Sequence, residues 1–401
     1  MQIDLVASKK ITLPSAYKKS GVKRVFKALG HNCLFVGGCV RDVLLKHVSS
    51  DIDIATPLLP TEVMDKLAAA KIKAIATGIE HGTVTAVCNG VTMEITTLRK
   101  DVATDGRRAV VAFSADWCED ALRRDFTLNS LLMDLKGNVY DPTGEGIADL
   151  ERRRVVFIGD ARQRVREDYL RILRYFRFSA RYNMAFDDDV LGVFAQEIEG
   201  LAQISKERIT SEIFKILECD APQGAMLMLA RYPIFSWLSK SVTYLDNFCA
   251  VQRQHNAYSL IGRLFLVCSG GSLAVKDYLS LSNRDMSTLS DISRFISEYP
   301  HKTIDYFLYY YKHSTVIQGA IYQYTSGSIG ETSLDFILSE IISWAAPVFP
   351  INGALLVSEG YEAGPHIGEA LRHVESWWIA QKFTANRDEC LCEAIKWLSK
   401  N

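Results

Sequence analysis

The sequence predicts an α+β protein in which a head domain, a small mixed sheet with helices, precedes an all-helical region. Short β-rich runs at residues 33–36, 52–55, 83–88 and 91–97 are separated by turn residues, as strands are. From about residue 161 onward, apolar residues recur at helical spacing and no alternation survives. With 401 residues and 48% hydrophobic content, the chain has room for about two to four compact domains.

Composition restricts the class of protein. A formal net charge of -1 excludes a uniformly basic surface, so a polyanionic partner must be bound by local patches. Nine cysteines are scattered, and the nearest pair, Cys390 and Cys392, lacks the spacing of a redox or zinc pair, which favours reduced, buried thiols. Neither a signal peptide nor an apolar run of about 18 residues is visible. We expect a cytoplasmic protein without a membrane partner, and no protein partner is implied.

The first informative block is CLFVGGCVRDVLLKHVSSDIDIATP, residues 33–57. It predicts a strand, a Gly37-Gly38 turn, a short helix over residues 39–46 and a second strand. Two glycines before a helix let a ligand approach backbone N–H groups that attract anions, and Arg41 adds a cation. A glycine pair alone most often only forms a tight turn, so the neighbouring residues decide its interpretation.

Two aspartates follow this turn. Side chains alternate along a strand, so Asp51 and Asp53 share one face while Ile52 and Ile54 point into the core. Like charges held this close are unfavourable unless a cation lies between them, and hard oxygen ligands suit Mg²⁺. An isolated pair of this kind is more often a polar strand edge, but after this glycine turn it indicates phosphoryl or nucleotidyl transfer.

The segment VGGCVRD followed by DIDIA resembles the first motif of class II nucleotidyltransferases. The resemblance implies a head domain built like the palm of DNA polymerase beta. Asp51 and Asp53 would then be the catalytic residues and the ligands of Mg²⁺.

The second block begins with a β-hairpin, residues 82–101, that turns at Asn89-Gly90. Glu94 on its returning strand is either a third acid near the metal, or a residue that pairs with Arg99 or stabilises a loop, and the sequence leaves these open. Residues 99–118 are polar and suit a mobile loop over the active site.

The segment ALRRDFTLNSLLMDL has helical apolar spacing, with Arg123 and Arg124 at its start. Cations are disfavoured at the positive end of a helix, so either an external anion or pairing with Asp120 or Asp125 must compensate. The run RRDFTLNS resembles the family motif RRDFTxNA, which implies that Arg124 contacts the nucleotide. Ser130 stands where the family has alanine.

The third block, REDYLRILRYFRFSARY, residues 166–182, is predicted as one helix. One side is apolar, and the other carries a cation or carboxylate every three residues: Asp168, Arg171, Arg174 and Arg177. Between residues 151 and 182, ten Lys or Arg face four Asp or Glu. An anionic ligand is the natural partner, and a solvated basic face is the alternative.

The segment EDYLRILRYFR resembles the family motif ED-x-x-R-x-x-R. This implies that Asp168 and Arg171 read the base, and a carboxylate accepting from the exocyclic amine of cytosine or adenine is sound chemistry. The remaining nucleotide contacts implied by the resemblance are Arg174, Arg177, Gly38 and Arg41.

Residues 33–217 carry the resemblance, with a weaker echo at residues 364–383. It implies Mg²⁺-dependent, template-independent addition of CMP and AMP from CTP and ATP to a tRNA 3′ end, by a member of the CCA-adding and poly(A) polymerase family. Poly(A) synthesis, CC-only or A-only addition, and a non-catalytic RNA-binding protein remain as alternatives. The implied domains are a head over residues 1–147, a base-recognising neck over 148–225, a body over 226–325 and a tRNA-binding tail over 326–401.

Overall fold

The computed structural model describes residues 5–47, 51–105, 108–268 and 275–400. The chain forms two compact units. The first consists of Met1–Cys219 with Tyr232–Ile234, and the second of Asp220–Arg231 with Phe235–Asn401. The finer division into neck, body and tail stays a prediction.

The first unit contains an eight-stranded sheet in the order β1-β10-β9-β2-β3-β6-β5-β4, in which β3 and β6 are parallel and the other pairs are antiparallel. Its strands are β1 Ala7–Lys10, β2 Leu34–Val36, β3 Asp53–Thr56, β4 Lys73–Gly78, β5 Thr83–Cys88, β6 Val91–Thr97, β9 Leu132–Met133 and β10 Asn138–Tyr140. This confirms the predicted α+β head domain.

The hairpin of β5 and β6 turns where the sequence predicts. Asn89 and Gly90 have φ of +50° and +72°, the left-handed conformations of a tight hairpin turn. Helices α1 (Ser20–Ala28) and α3 (Pro60–Ala69) contact each other and both contact β5, so they cover one face of the sheet. Met93 and Ile95 of β6 are buried, whereas Glu94 between them is exposed. Glu94 therefore points to the face opposite α1 and α3.

The loop predicted over residues 99–118 is wrong as to secondary structure. Strands β7 (Arg99–Asp105) and β8 (Arg108–Phe113) pair as a separate two-stranded sheet. Helix α4 (Trp117–Leu122) follows, and its N-cap Asp116 accepts the backbone N–H of Cys118 at 2.7 Å. The loop prediction rested on the polar residues of β7, whereas β8 is largely apolar and contains the β-branched pair Val110 and Val111, which is typical of a strand.

The rest of the first unit is largely helical, as predicted. Helix α2 (Gly38–Leu44) lies between β2 and β3. The helices after β10 are α5 Gly146–Glu151, α6 Ala161–Glu167, α7 Leu170–Tyr182, α8 Asp188–Glu197 and α9 Lys206–Leu217.

The described part of the second unit contains no named strand, in agreement with the predicted all-helical region. Its helices are Gln223–Leu229, Leu245–Gln254, Leu260–Val267, Asn283–Glu298, Ile304–Tyr310, His313–Thr325, Glu331–Ser343, Gly353–Ser358, Pro365–Ala380 and Arg387–Leu398. A core cluster includes the fully buried Leu356, Val374 and Cys390.

All nine cysteines are free thiols and seven of them are buried, as predicted. Within the ranges that the structure describes, no helix is both long and apolar enough to cross a membrane.

Candidate active site

The glycine turn brings a helix start and two arginines together. Gly37 has φ of +67°, a conformation that favours glycine, and α2 begins at Gly38. A Cβ on Gly37 would lie 3.1 Å from Arg124 Nη1, and one on Gly38 would lie 3.4 Å from Arg41 Nη2. The two glycines therefore leave room for guanidinium groups beside the N–H groups at the start of α2.

Arg41 is only 5% exposed and is fixed by several partners. Its Nε and Nη2 each donate to Asp42 Oδ1 at 3.0 Å, and its Nη1 donates to Asn129 Oδ1 at 2.5 Å. The rings of Phe178 and Tyr182 lie 4.9 and 4.8 Å from its Cζ. Several of its N–H donors are thus engaged inside the protein, and fewer remain for a ligand than the sequence suggested.

An acid cluster lies at the start of β3. Asp53 is the register partner of Glu94 on the parallel strand β6, and Ile52 and Ile54 are buried as predicted. Burial and the charges of Glu94 and Asp51 raise the pKa of Asp53 to about 6. Asp51 precedes the strand and is exposed. The three carboxylates repel one another, and a cation among them would remove that cost.

The acid cluster fits a hard divalent cation bound partly by substrate. Among the described residues, no three His, Cys, Asp or Glu side chains form a group that could hold a metal ion by themselves. Ions of the Mg²⁺ type take one or two protein carboxylates and complete their coordination with phosphate oxygens and water. Asp53, with Asp51 and Glu94 nearby, fits this mode of Mg²⁺ coordination.

The arginines of RRDF follow a helix instead of starting one. Arg123 is the C-cap of α4, and the chain continues as a 3-10 turn and then β9, so the predicted helix start is wrong. Arg123 and Arg124 donate to the two oxygens of Asp120 at 2.7 and 2.8 Å. Cations are favourable at the C-terminal end of a helix. The alternative of pairing with Asp120 is therefore observed.

The helix predicted over residues 166–182 is broken at Asp168. The prediction that Asp168 lies on the same helical face as the arginines is therefore wrong. Asp168 is extended, with φ of -156° and ψ of 103°, between α6 and α7. Its Oδ1 accepts the backbone N–H of Leu170 at 3.1 Å. An aspartate that bonds to the backbone nearby competes with the helix, and this explains the break.

The rest of this block agrees with its predicted pattern. Ile172 and Phe176 are fully buried, and the arginines on the other side line a cleft. Each of these arginines is held by a carboxylate. The pairs are Arg171 with Glu167 at 2.6 Å, Arg174 with Asp125 at 2.6 Å and Arg177 with Glu212 at 3.2 Å. Ion pairing of this kind orients the guanidinium groups before a ligand arrives.

Helix α9 supplies two site residues that the sequence did not reveal. Arg208 lines the cleft, and its Nη2 donates to Asp168 Oδ2 at 2.8 Å. Glu212 is the partner of Arg177. Both partners lie at least 35 residues away in the sequence, so no local spacing pointed to these contacts.

One cleft of about 590 Å³ brings the predicted residues together. Nine arginines and four acidic residues line it, and this excess of positive charge focuses the field on an anion. Every predicted nucleotide-binding residue lines the cleft together with Asp53, whereas Asp51 does not. Those nucleotide-binding residues are Gly38, Arg41, Arg124, Asp168, Arg171, Arg174 and Arg177.

The carboxylate of Asp42 ties α2 to α7, and this leads to a stability prediction. Besides Arg41, the Tyr182 hydroxyl donates to Asp42 Oδ1 at 2.6 Å, and Asp42 is 3% exposed. Asp42→Ala is expected to lower the free energy of unfolding by about 3–5 kcal/mol, because it leaves Arg41 buried without its charge partner. Tyr182→Phe, which removes one hydroxyl, is expected to cost about 1.5–3 kcal/mol. Urea unfolding followed by circular dichroism measures both, and equal costs would contradict the assignment of Asp42 as the central partner.

Comparison with known proteins identifies the family. Residues 33–156 match the Poly A polymerase head domain, and residues 183–245 match the probable RNA and SrmB-binding site of polymerase A. The mitochondrial CCA tRNA nucleotidyltransferase 1 of Mus musculus is 33% identical, with 92% of this chain and 87% of that protein covered. The CCA-adding enzyme of Streptococcus pyogenes serotype M4 is 31% identical, with 92% and 94% covered.

Solved structures agree with the sequence relatives. The Bacillus stearothermophilus CCA-adding enzyme in complex with CTP superposes with a TM-score of 0.80 at 25% identity, over 96% of this chain and 98% of that one. The Thermotoga maritima CCA-adding enzyme complexed with tRNA shares the fold, with a TM-score of 0.66 at 20% identity over 96% of each chain. Nucleotidyltransferases of this family are generally metal-dependent. By its match to full-length relatives at more than 30% identity, the chain belongs to the family of CCA-adding tRNA nucleotidyltransferases.

Proposed function

We propose that this protein adds CMP and AMP to the 3′ end of tRNA, taking them from CTP and ATP without a nucleic-acid template. The observation that carries the proposal is the single cleft that combines Asp53 and Glu94 with Asp168 and Arg171. Acids suited to a metal ion and groups suited to reading a base thus line the same space.

The acid cluster would hold Mg²⁺ through Asp51 and Asp53, and Glu94 is proposed as a third acid. When bound, the ion would supply charge stabilisation for nucleotidyl transfer at the α-phosphate. Asp53 pairs with Glu94 in the sheet register, and the charge of Glu94 is the second-largest cause of the raised pKa of Asp53. These two observations favour the metal role for Glu94 over the alternative of pairing with Arg99.

The anion-binding part of the cleft would hold the triphosphate. The start of α2 at Gly38 presents N–H groups, and Arg124 and Arg41 lie against the glycine turn. Arg174 and Arg177, already oriented by their carboxylates, are placed to position the nucleotide. The positions of these charged groups are fixed before the nucleotide binds, so binding requires little rearrangement of the protein.

Asp168 and Arg171 would read the base. Asp168 accepts hydrogen bonds only, so it can recognise the exocyclic amine that cytosine and adenine share, whereas uracil offers a carbonyl there. Arg171 donates hydrogen bonds only and can meet the ring acceptors of either base. The protein would thereby select CTP and ATP in place of a template strand.

The remaining assignments continue the sequence predictions. The helical neck would carry the base-reading residues, and the tail at residues 326–401 would bind tRNA. A cytoplasmic location stays a prediction, and the relatives from Mus musculus and Homo sapiens are named mitochondrial.

A transcript assay tests this function. The purified protein is incubated with Mg²⁺ and a tRNA transcript lacking its 3′ CCA, with CTP, ATP or both, and the products are sized. Growth by the three residues C, C and A, with both nucleotides required, is expected. Long A tracts would identify a poly(A) polymerase, shorter additions a CC-only or A-only enzyme, and absence of growth would contradict catalysis.

A further inference from the structure

The outer side of α1 carries a row of lysines that the proposed function does not use. Lys19, which directly precedes the helix, and Lys23 and Lys27 within it recur every four residues and are exposed. At about 1.5 Å of rise per residue, successive members are about 6 Å apart along the helix. These three residues are named the lysine row.

The lysine row is electrostatically unfavourable within the chain itself. Like charges four residues apart weaken a helix, and Lys19 at the start of α1 opposes the helix dipole, whereas Lys27 in the last turn is favourably placed. The first turn of α1 contains no acidic residue. Within the described ranges, none of the three lysines forms an ion pair with a carboxylate. The chain therefore carries an electrostatic cost that it does not offset internally.

The surroundings of the lysine row do not neutralise it. Residues 5–40 contain seven Lys or Arg and no Asp or Glu. Helix α3, which packs against α1, has one cation and two anions, but the whole stretch from α3 to the start of β4, residues 60–73, has three cations and two anions. These charged residues are Lys66, Lys71 and Lys73 against Glu62 and Asp65. The surface around α1 is therefore a basic patch in a chain whose net charge is -1.

The lysine row lies apart from the catalytic cleft. Helices α1 and α3 cover the sheet face opposite the one to which Glu94 points, and no residue of α1 lines the cleft. A nucleotide bound near Asp53 would therefore not reach the lysines. Any ligand of the lysine row is bound at a second surface.

We propose that the lysine row binds the phosphate backbone of an RNA. Phosphates repeat along a strand at a spacing comparable with that of the lysines, and backbone contacts of this kind require only cations. An anionic membrane is the other polyanion to consider. Helices that lie on membranes insert apolar side chains, but Val22, Val25 and Phe26 of α1 are all buried. The row therefore offers cations without an apolar anchor.

The test compares two triple variants with equal charge change. One is Lys19→Gln, Lys23→Gln, Lys27→Gln, and the control is Lys136→Gln, Lys276→Gln, Lys312→Gln, whose lysines are exposed elsewhere and lie outside residues 183–245. The Kd for a tRNA transcript lacking its 3′ CCA is measured over a series of KCl concentrations. For the lysine-row variant, we expect weaker binding and a salt slope reduced by about one to three, since each lost phosphate contact removes about 0.9. The control is expected to keep the slope of the unchanged protein.

Further measurements identify which RNA is bound and test whether the variant keeps its fold. A parallel fall in kcat/KM for the transcript would identify the substrate tRNA as the ligand. Weaker binding of an unrelated double-stranded RNA, with kcat/KM preserved, would identify a second RNA. Glutamine forms helices well, so the thermal midpoint should hold or rise as like charges are removed.

An unchanged salt slope would overturn the proposal. So would a lysine-row variant that loses binding to phosphatidylserine vesicles while its RNA binding stays intact. Since the proposed function supplies only the choice of RNA, the binding assay stands apart from catalysis. Failure of the unchanged protein to add nucleotides would therefore refute the function without refuting the RNA surface.

Discussion

Asp53→Asn is expected to reduce nucleotide addition by about a thousandfold or more, with the fold intact. The amide has the shape of the carboxylate but no charge, so it cannot hold a divalent cation against the triphosphate. Loss of that charge stabilisation removes several kcal/mol from the transition state, and about 4 kcal/mol corresponds to a factor of about a thousand. Single-turnover addition of CMP to a tRNA transcript measures the effect directly.

Stability separates this loss of catalysis from damage to the fold. The pKa of Asp53 is raised from 3.8 to about 6 by burial and by the charges of Glu94 and Asp51. A carboxyl group whose folded pKa is raised weakens the fold as the pH rises from about 3.8 to about 6, and above that pH the penalty is complete and constant. At pH 7 in EDTA, the asparagine variant should therefore unfold at the same or a higher temperature.

Two further variants complete this experiment. Asp65→Asn on α3 is a charge-matched control on the other sheet face, and we expect an unchanged rate. Glu94→Gln tests the third acid, and a loss of about tenfold or more would support a metal role. Full activity of Asp53→Asn would remove the metal-binding assignment of the acid cluster altogether.

Features set by nearby residues were predictable from the sequence. The turn at Asn89-Gly90 needs only two residues that tolerate positive φ, and the inward side chains of Ile52 and Ile54 follow from alternation along one strand. The three-residue spacing of the arginines on α7 likewise placed Arg171, Arg174 and Arg177 on one side. In each case, the deciding interaction lies within a few residues along the chain.

Features set by side-chain competition or by distant partners were not predictable. Asp168 ends the predicted helix because its carboxylate bonds to the N–H of Leu170, although the apolar period continues through the break. Arg123 and Arg124 occur at the end of α4, where Asp120 pairs with both. Family resemblance identified the residues of these motifs, but it did not supply their local conformation.

Contacts between residues that are far apart in the sequence could not be predicted either. Arg208 and Asp168 are 40 residues apart in the sequence, and the spacing of residues within α9 does not distinguish Arg208 from the other cations of that helix. Its role depends on the fold that brings α9 to α7. This contact leads to the second large effect that we expect.

Asp168→Asn is expected to change which nucleotide is used. The carboxylate accepts from the amine of cytosine or adenine, whereas an amide can also donate to the carbonyl of uracil. Loss of a hydrogen bond to a charged group costs about 1.5–3 kcal/mol, so kcat/KM for CTP and ATP should fall by about tenfold to a hundredfold. Incorporation from UTP should rise relative to CTP, and competition assays with both nucleotides measure the ratio.

Arg208→Gln is the matched control for this change, because it removes the partner of Asp168 and keeps the carboxylate. In the structure, Arg208 Nη2 holds Asp168 Oδ2 at 2.8 Å while the backbone of Leu170 holds Oδ1. In this variant Leu170 still fixes Asp168 Oδ1, so Asp168 should still recognise the correct base but bind it more weakly. We therefore expect a higher KM for CTP and ATP, a smaller change in kcat and no gain for UTP. If incorporation from UTP rises in Arg208→Gln but not in Asp168→Asn, then Arg208 and not Asp168 selects the base.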